Sequence, residues 1–417
     1  MTQTVLTADA VATRALDILE NNLVMAKKVY RDYEGEYSKN VNGYKKGATI
    51  RIRKPTDFVV REGEVVDTQE VVEGYTNLTV DKVRGVDFEF SATDLSLSID
   101  NEDLNDRVFK PAMVQLANKI DTDLALLYKD VWNWVGTPGN DVNSYADFAL
   151  APKRLDNGAV MQDMRYAVLS PDDHWGLLGS QTGLYIQDAA KGAYRDGSLG
   201  KIGGVDTYMS QNVQTHTCGT RDNTTPLADA AAGNGVLSTT YASAKDTGEM
   251  VLSCDGWSAT ETLKQGDVFT ISTVYAVNPV SKATLPYLQQ FVVKADVTVT
   301  NGDSEVTISP PIITSGAYQT VSEAAADGDT ITNLGTASTG YAQNMVFHKN
   351  AFALTMVPME MPNDGRPASR KSYKGLSIRV VPGYDFINNI NKWRLDVLYG
   401  VKTLDARLAT RLSGSAS

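Results

Sequence analysis

Leu288-Gln-Gln-Phe-Val-Val-Lys-Ala-Asp-Val-Thr-Val-Thr-Asn-Gly-Asp-Ser-Glu-Val-Thr-Ile308 is the stretch on which the reading turns. Two β-rich runs, 288–300 and 305–308, flank Asn301-Gly302, a strong signal for a tight hairpin turn. Upstream, Asp267-Val-Phe-Thr-Ile-Ser-Thr-Val-Tyr275 is a further strand, introduced by the turn pair Gly266-Asp267. Short strands with turns at near-regular spacing predict a small barrel or sandwich. The surrounding stretch, 215–340, differs from the rest of the chain in charge. It holds five Lys/Arg (Arg221, Lys245, Lys264, Lys282, Lys294) against thirteen Asp/Glu, a net of −8. The remainder carries 34 basic and 37 acidic groups, a net of −3, so under a third of the chain holds most of the total of −11. An acidic all-β module inserted into a mixed host domain is the expectation.

Working outward, the host shows both helical and strand periods. Val11, Ala15, Leu19, Leu23, Ala26 and Tyr30 fall at three- and four-residue spacing, which predicts a helix over 7–33 with Thr7 as N-cap. Leu104, Val108, Ala112, Leu116, Ile120, Leu124, Tyr128, Val131 and Val135 predict a spine helix over 101–135, with Pro111 near its start and Gly136-Thr-Pro-Gly139 at its end. Another helix is expected over 144–155. After the strand 166–169, Ser170-Pro-Asp-Asp-His174 is a helix start, with Ser at the cap, Pro at the first position and acids in the first turn. Beyond the module, strands are expected at 345–357, 376–381 and 392–401.

Residues 48–90 read as extended: Ile50 and Ile52, then Leu78, Val80, Val86, Phe88 and Phe90, alternate with polar residues, and 61–74 between them is an acidic stretch with few core candidates. One hairpin over 49–84 would have arms of about 17 residues reaching roughly 55 Å, whereas a globule of this length has a radius of gyration of about 22 Å. Such a hairpin overhangs its own body and needs another subunit to cover its apolar residues. Its acids Glu62, Glu64, Asp67, Glu70 and Glu73 are expected to meet basic groups of a neighbour, a reading preferred for those groups over contact with DNA or a plain solvated face. The basic candidates are Lys45, Lys46, Arg51, Arg53 and Lys54, and a second cluster of Arg366, Arg370, Lys371, Lys374 and Arg379.

Composition narrows the function. Apolar content of 42% and 21% charge are ordinary for a globular protein. The acidic balance opposes general binding to duplex phosphate. No apolar run has the length of a membrane span, and Met1–Ala15 lacks a secretory pattern. Folding in the cytoplasm is expected, with Cys218 and Cys254 as free thiols. The three histidines, His174, His216 and His348, sit in no metal-binding pattern; His216-Thr-Cys218 is a pair without a second half. Capping explains Asp172 and Asp173 without chemistry. There is no nucleophile elbow, no phosphate loop and no catalytic constellation, so no catalytic residue, metal or cofactor is expected.

At this point the residues resemble a family. Ala193-Tyr-Arg-Asp-Gly197 running to Gly204-Val-Asp-Thr-Tyr-Met-Ser-Gln-Asn-Val213 and Thr215-His-Thr-Cys-Gly-Thr220 carries part of the likeness. Leu263-Lys-Gln-Gly-Asp-Val-Phe-Thr-Ile271, Val277-Asn-Pro-Val-Ser-Lys282 and Leu288-Gln-Gln-Phe-Val-Val293 carry more. Phe347-His-Lys-Asn-Ala-Phe352, Leu376-Ser-Ile-Arg-Val380 and Trp393-Arg-Leu-Asp-Val-Leu-Tyr-Gly400 complete it. In order and spacing the chain resembles tailed-phage major capsid proteins of the Hong Kong 97-type fold, within the P-twenty-two-like, short-tailed group that carries an inserted β-barrel.

The resemblance implies an α+β fold of six parts: an N-terminal arm at 1–39, an extended loop hairpin at 40–98, the spine helix of a peripheral domain at 99–140, a first axial and peripheral part at 141–214, an inserted antiparallel β-barrel at 215–340, and a second axial and peripheral part with the C-terminal strand at 341–417. It implies a structural role in an icosahedral shell of pentamers and hexamers, assembled in host cytoplasm around a scaffolding protein and expanding later. Partners beyond itself are a portal protein and packaged double-stranded DNA, bound without sequence preference; a decoration protein is left open, and no membrane is involved. A barrel loop, matched to 236–249 with Lys245, Asp246 and Glu249, is implied to contact the neighbouring capsomer. Three rival readings stand beside this one. A bacterial nanocompartment shell of the same fold is opposed by the inserted barrel. A sugar-binding or adhesin-like β-protein is opposed by the spine helix. An enzyme is opposed by the missing constellation.

Overall fold

The computed structural model describes residues 8–33, 47–61, 63–66, 68–91, 108–181, 199–221, 226–230, 235–258, 260–362, 368–373 and 375–415. The chain forms two compact units. One comprises Met1–Arg51, Asn77–Ala125 and Phe352–Lys402; the other comprises Ile52–Thr76, Leu126–Ala351 and Thr403–Ser417.

In the first unit, the helix Ala8–Asn22 buries Val11, Ala12, Ala15 and Leu19 against the helix Lys110–Ala125, whose own inner face is Ala112, Leu116, Ile120 and Leu124. The first helix ends well short of residue 33. Asp121, buried in the second helix, takes the amides of Val24 at 2.7 Å and Ala26 at 3.0 Å and turns the chain into a 3-10 segment at Met25–Lys27. A sheet completes the unit. Ile390–Thr403 pairs with Leu376–Asp385 on one side and with Lys82–Ser91 on the other, and Ser369–Tyr373 forms an edge.

The spine helix is shorter than its apolar period predicts. Regular α-helix runs from Lys110 to Ala125, 3-10 turns follow at Leu126–Asp130, and Trp134–Val135 is a strand parallel to Ala409–Leu412. Gln290 explains the switch. Its side-chain amide accepts from the Trp134 amide and donates to the Trp134 carbonyl, 2.7 Å each, satisfying that backbone as a strand. Residues 101–107 of the expected helix lie outside the described residues.

The second unit holds a mixed six-stranded sheet in the order Trp134–Val135, Ala409–Leu412, Asn344–His348, Arg165–Leu169, Val205–Met209, Lys201–Ile202. The helices Tyr145–Asn157 and Pro171–Gln181 belong to it, and its core includes Phe148, Leu155, Leu169, Leu177 and Val346. Both helices start as predicted. Ser144 Oγ accepts from the Asp147 amide at 3.1 Å, and Ser170 Oγ accepts from the Asp173 amide at 3.2 Å. Asp173 also receives Asn344 Nδ2 at 2.7 Å, so the acid beside His174 is a structural anchor.

From this sheet the chain leaves and returns through one antiparallel stem. Thr215–Thr217 pairs with Gly340–Ala342, with His216 opposite Tyr341. Between the stem strands, six antiparallel strands run in the order Ile331–Asn333, Val268–Val277, Thr284–Val293, Ser304–Ser309, Met250–Asp255, Leu227–Ala228. The outer two meet again: the Ala228 amide donates to the Asp329 carbonyl at 2.9 Å, and the Ile331 amide to the Pro226 carbonyl at 2.7 Å. The sheet is therefore a barrel, which removes the exposed edges of an open sheet. Its interior is filled by Leu252, Trp257, Phe269, Ile271, Phe291, Val306 and Ile308, among others. Two details differ from the sequence reading. The run 288–300 breaks at 294–296, and Val297–Val299 pairs with Glu261–Leu263. Asn301-Gly302 thus joins strands of different sheets instead of closing a hairpin, because Ser304–Ser309 takes Met250–Asp255 as its partner.

Candidate functional site

Residues 54–74 carry a run of exposed apolar side chains in the second unit. Phe58, Val60, Val65, Val66 and Val71 are 57–89% exposed. Among the described residues the segment is not a long two-stranded ladder; the strands that pair are Thr49–Arg53 and Tyr75–Thr79. Side chains shape the rest. Gln69 accepts from the Val59 amide at 2.9 Å and donates back to its carbonyl at 2.5 Å, imitating a strand partner. The Arg61 guanidinium donates to the carbonyls of Gly63 and Val65. Of the expected acids, Glu64, Glu70 and Glu73 are exposed, Glu73 pairs with Arg53 at 3.2 Å, and Glu62 and Asp67 lie outside the described residues. Lys45 and Lys46 also lie outside, and Arg51 is exposed.

The second basic cluster is occupied within its own unit. Arg370 donates to the Met359 carbonyl at 2.9 Å, Arg379 binds the Asp396 carboxylate at 2.5 Å, and Lys371 pairs with Asp9 at 2.9 Å. Arg366 and Lys374 lie outside the described residues. The same unit exposes a second apolar tip, Tyr384, Phe386 and Ile387, on a turn where Asp385 accepts from the Ile387 and Asn388 amides.

At the base of the barrel, the half-pair His216-Thr-Cys218 meets Asp267. Their ligand-type atoms all lie within 4.8 Å of one another, and all three residues are buried. The group is already filled. His216 Nε2 shares a 2.9 Å hydrogen bond with one Asp267 oxygen. The other oxygen takes Arg221 at 2.7 Å and the amides of Lys264 at 2.8 Å and Gly219 at 3.2 Å. Tyr128 Oη is 3.1 Å from His216 Nδ1. Arg411 lies over the Tyr128 ring at 5.1 Å and donates to the Gly266 carbonyl at 2.8 Å. Burial raises the Asp267 pKa, but the His216 hydrogen bond and the Arg221 charge outweigh it and hold the carboxyl at about 2. Burial lowers the His216 pKa and pushes the Cys218 thiol up to about 11. A dication here would sit beside two buried guanidinium groups, facing a neutral thiol and a saturated carboxylate. The cluster is an ion-pair anchor that ties the stem to the barrel.

Residues 3–412 match the family model described as P22 coat protein, gene protein 5. The chain belongs to the P22 coat protein family. It is a phage major capsid protein, and its element order, with a barrel inserted in a mixed α+β host, agrees with the fold the resemblance implied. The chain is 23% identical over 399 residues to the major capsid protein of Acyrthosiphon pisum secondary endosymbiont phage 1, covering 91% of this chain and 90% of that one. Among solved structures, one of Mycobacterium phage Che8 is 14% identical, covering 93% of this chain and 90% of that chain with a TM-score of 0.47. The capsid structure of cyanophage P-SCSP1u is 10% identical, covering 90% and 85%, with a TM-score of 0.41.

In this coat protein the matched barrel loop exposes Val236, Ala242, Ser243 and Thr247. Lys245, Asp246 and Glu249 are half-buried. Asp246 accepts from the Tyr75 amide at 3.2 Å, and Glu249 is 3.5 Å from Lys294, which also binds Asp130. Asp267, Arg221 and Arg411 are the residues that sequence reasoning missed. Asp267 reads as a turn residue, and only the fold brings it to His216 across 51 positions.

Proposed function

We propose that this coat protein builds an icosahedral shell of pentamers and hexamers around a scaffolding protein in host cytoplasm. The shell then takes up double-stranded DNA through a portal and expands. The exposed row of Phe58, Val60, Val65, Val66 and Val71 carries the reading. Covering each such side chain is worth about 1.5–3 kcal/mol, a gain a lone subunit forgoes and a neighbour supplies. In this reading 52–76 docks on an adjacent subunit, with Glu64, Glu70 and Glu73 set against basic groups there, and 215–340 is an inserted module that steadies the fold. The net charge of −11 keeps packed DNA from adhering to the wall. The role is structural, without catalysis.

The test is a Val60→Asp, Val66→Asp double variant co-expressed with the scaffolding protein and viewed by negative-stain microscopy. Closed shells are expected to become rare while monomer circular dichroism stays unchanged. Shells formed at the unsubstituted yield would remove the basis for docking through this row.

A further inference from the structure

The 52–76 segment has a base as well as a tip. Lys54 Nζ donates to the carbonyls of Lys245 at 3.0 Å and Asp246 at 3.1 Å. These follow the helical turn Tyr241–Ala244, where backbone acceptors lack partners within a helix. The Lys54 amide donates to the Gly74 carbonyl at 2.8 Å, and the Tyr75 amide to Asp246 Oδ1 at 3.2 Å. Gly74 is buried, and a Cβ there would collide with the Lys245 carbonyl. Tyr318 holds the two arms from the other side. Its hydroxyl accepts from the Asp57 amide at 3.3 Å and donates to the Val72 carbonyl at 3.1 Å, while its ring stacks on Tyr241 with centroids 3.4 Å apart.

We propose that both arms of the 52–76 segment are clasped to the 236–249 loop of the same chain, with Lys54 as the pin. The free subunit then presents its valine-bearing tip already positioned. The clasp belongs to the monomer; only what the tip later meets rests on the coat-protein reading. Three observations support it. The arms have few ladder hydrogen bonds of their own, so something else must offset the entropy of ordering them. An ammonium has three donors, and here two reach backbone acceptors that no other described side chain serves. The Asp246 carboxylate faces Tyr75, which makes it part of a seat and not a charge held out to a neighbouring capsomer.

Hydrogen exchange on the unassembled full-length chain tests this. Lys54→Met is expected to speed exchange about tenfold in peptides covering 70–76 and 241–248 together. Lys54→Arg should restore most of the protection, and the barrel strand Thr284–Val293 should stay unchanged. Gly74→Ala, which blocks the seat without touching Lys54, should give the same paired effect. Unchanged rates at 70–76 and 241–248 in both variants would overturn the clasp, and so would an effect on one peptide alone. Loss of protection extending to Thr284–Val293 in both variants would also overturn it, by showing a role in the whole barrel. Shell formation is scored separately: shells lost with the paired protection intact would make Lys54 an inter-subunit contact and refute the clasp. Failure of the unsubstituted chain to form shells would count against the coat reading alone.

Discussion

Asp267 is cut off from water, and His216, Arg221 and two backbone amides stand in for it. Asp267→Asn leaves Arg221 buried without its counter-charge, so a loss of about 3–5 kcal/mol in unfolding free energy is expected from urea melts of the monomer. The pH dependence has a definite sign. The folded carboxyl titrates at about 2, below the unfolded range near 3.9, so its contribution is complete above about pH 4 and is lost as pH falls towards 2. That contribution is about 2–3 kcal/mol, and Asp267→Asn should flatten the acid limb of a stability profile by this amount. Cys218 and Cys254 offer a second test at this scale. Both are buried, with thiols pushed by burial to about 11 and about 12, so iodoacetamide at pH 8 should label neither until the chain unfolds. Little of this cluster was legible in the sequence. His216 and Cys218 stand two apart and are visible as a pair, but the carboxylate and guanidinium groups that complete it arrive from the barrel and from the last strand, and no local pattern encodes that meeting.

The barrel exists as a barrel because its first and last strands find each other. Ala228→Pro removes the amide that donates to the Asp329 carbonyl and should open that seam at a cost of about 3 kcal/mol. Faster exchange at Ile331–Asn333, with little change in the host strand Arg165–Leu169, is the expected readout. At this scale the sequence served well wherever the determinant was local. Ser170 announces a helix start, and the strands expected over 267–275 and 392–401 form as Val268–Val277 and Ile390–Thr403. It misled where a distant group overrode a local preference. Gln290 turns Trp134 from helix to strand, and Asp121 ends the first helix near Asn22. Asn301-Gly302 made its turn, but strand pairing elsewhere decided what the turn connects.

Subunits of net charge −11 repel one another at long range, and the stretch 215–340 contributes −8 of it. Raising salt from about 10 to 150 mM shortens that reach from roughly 30 to 8 Å. Light scattering should therefore show purified monomers assembling faster as salt rises over this range. Slower assembly would mean that pairing between opposite charges outweighs the net repulsion. The stem at Thr215–Thr217 and Gly340–Ala342 has a further consequence, one of timing. Asn344–His348 occupies the interior of the host sheet, between Ala409–Leu412 and Arg165–Leu169, and it is reached only after 126 residues of barrel. Closing so long a disordered loop costs about 4 kcal/mol of chain entropy. A folded barrel brings the two stem strands together beforehand and abolishes most of that cost. If the barrel folds first, the central strand of the sheet is delivered when the barrel is finished, and variants that slow the barrel are expected to slow refolding of the whole subunit.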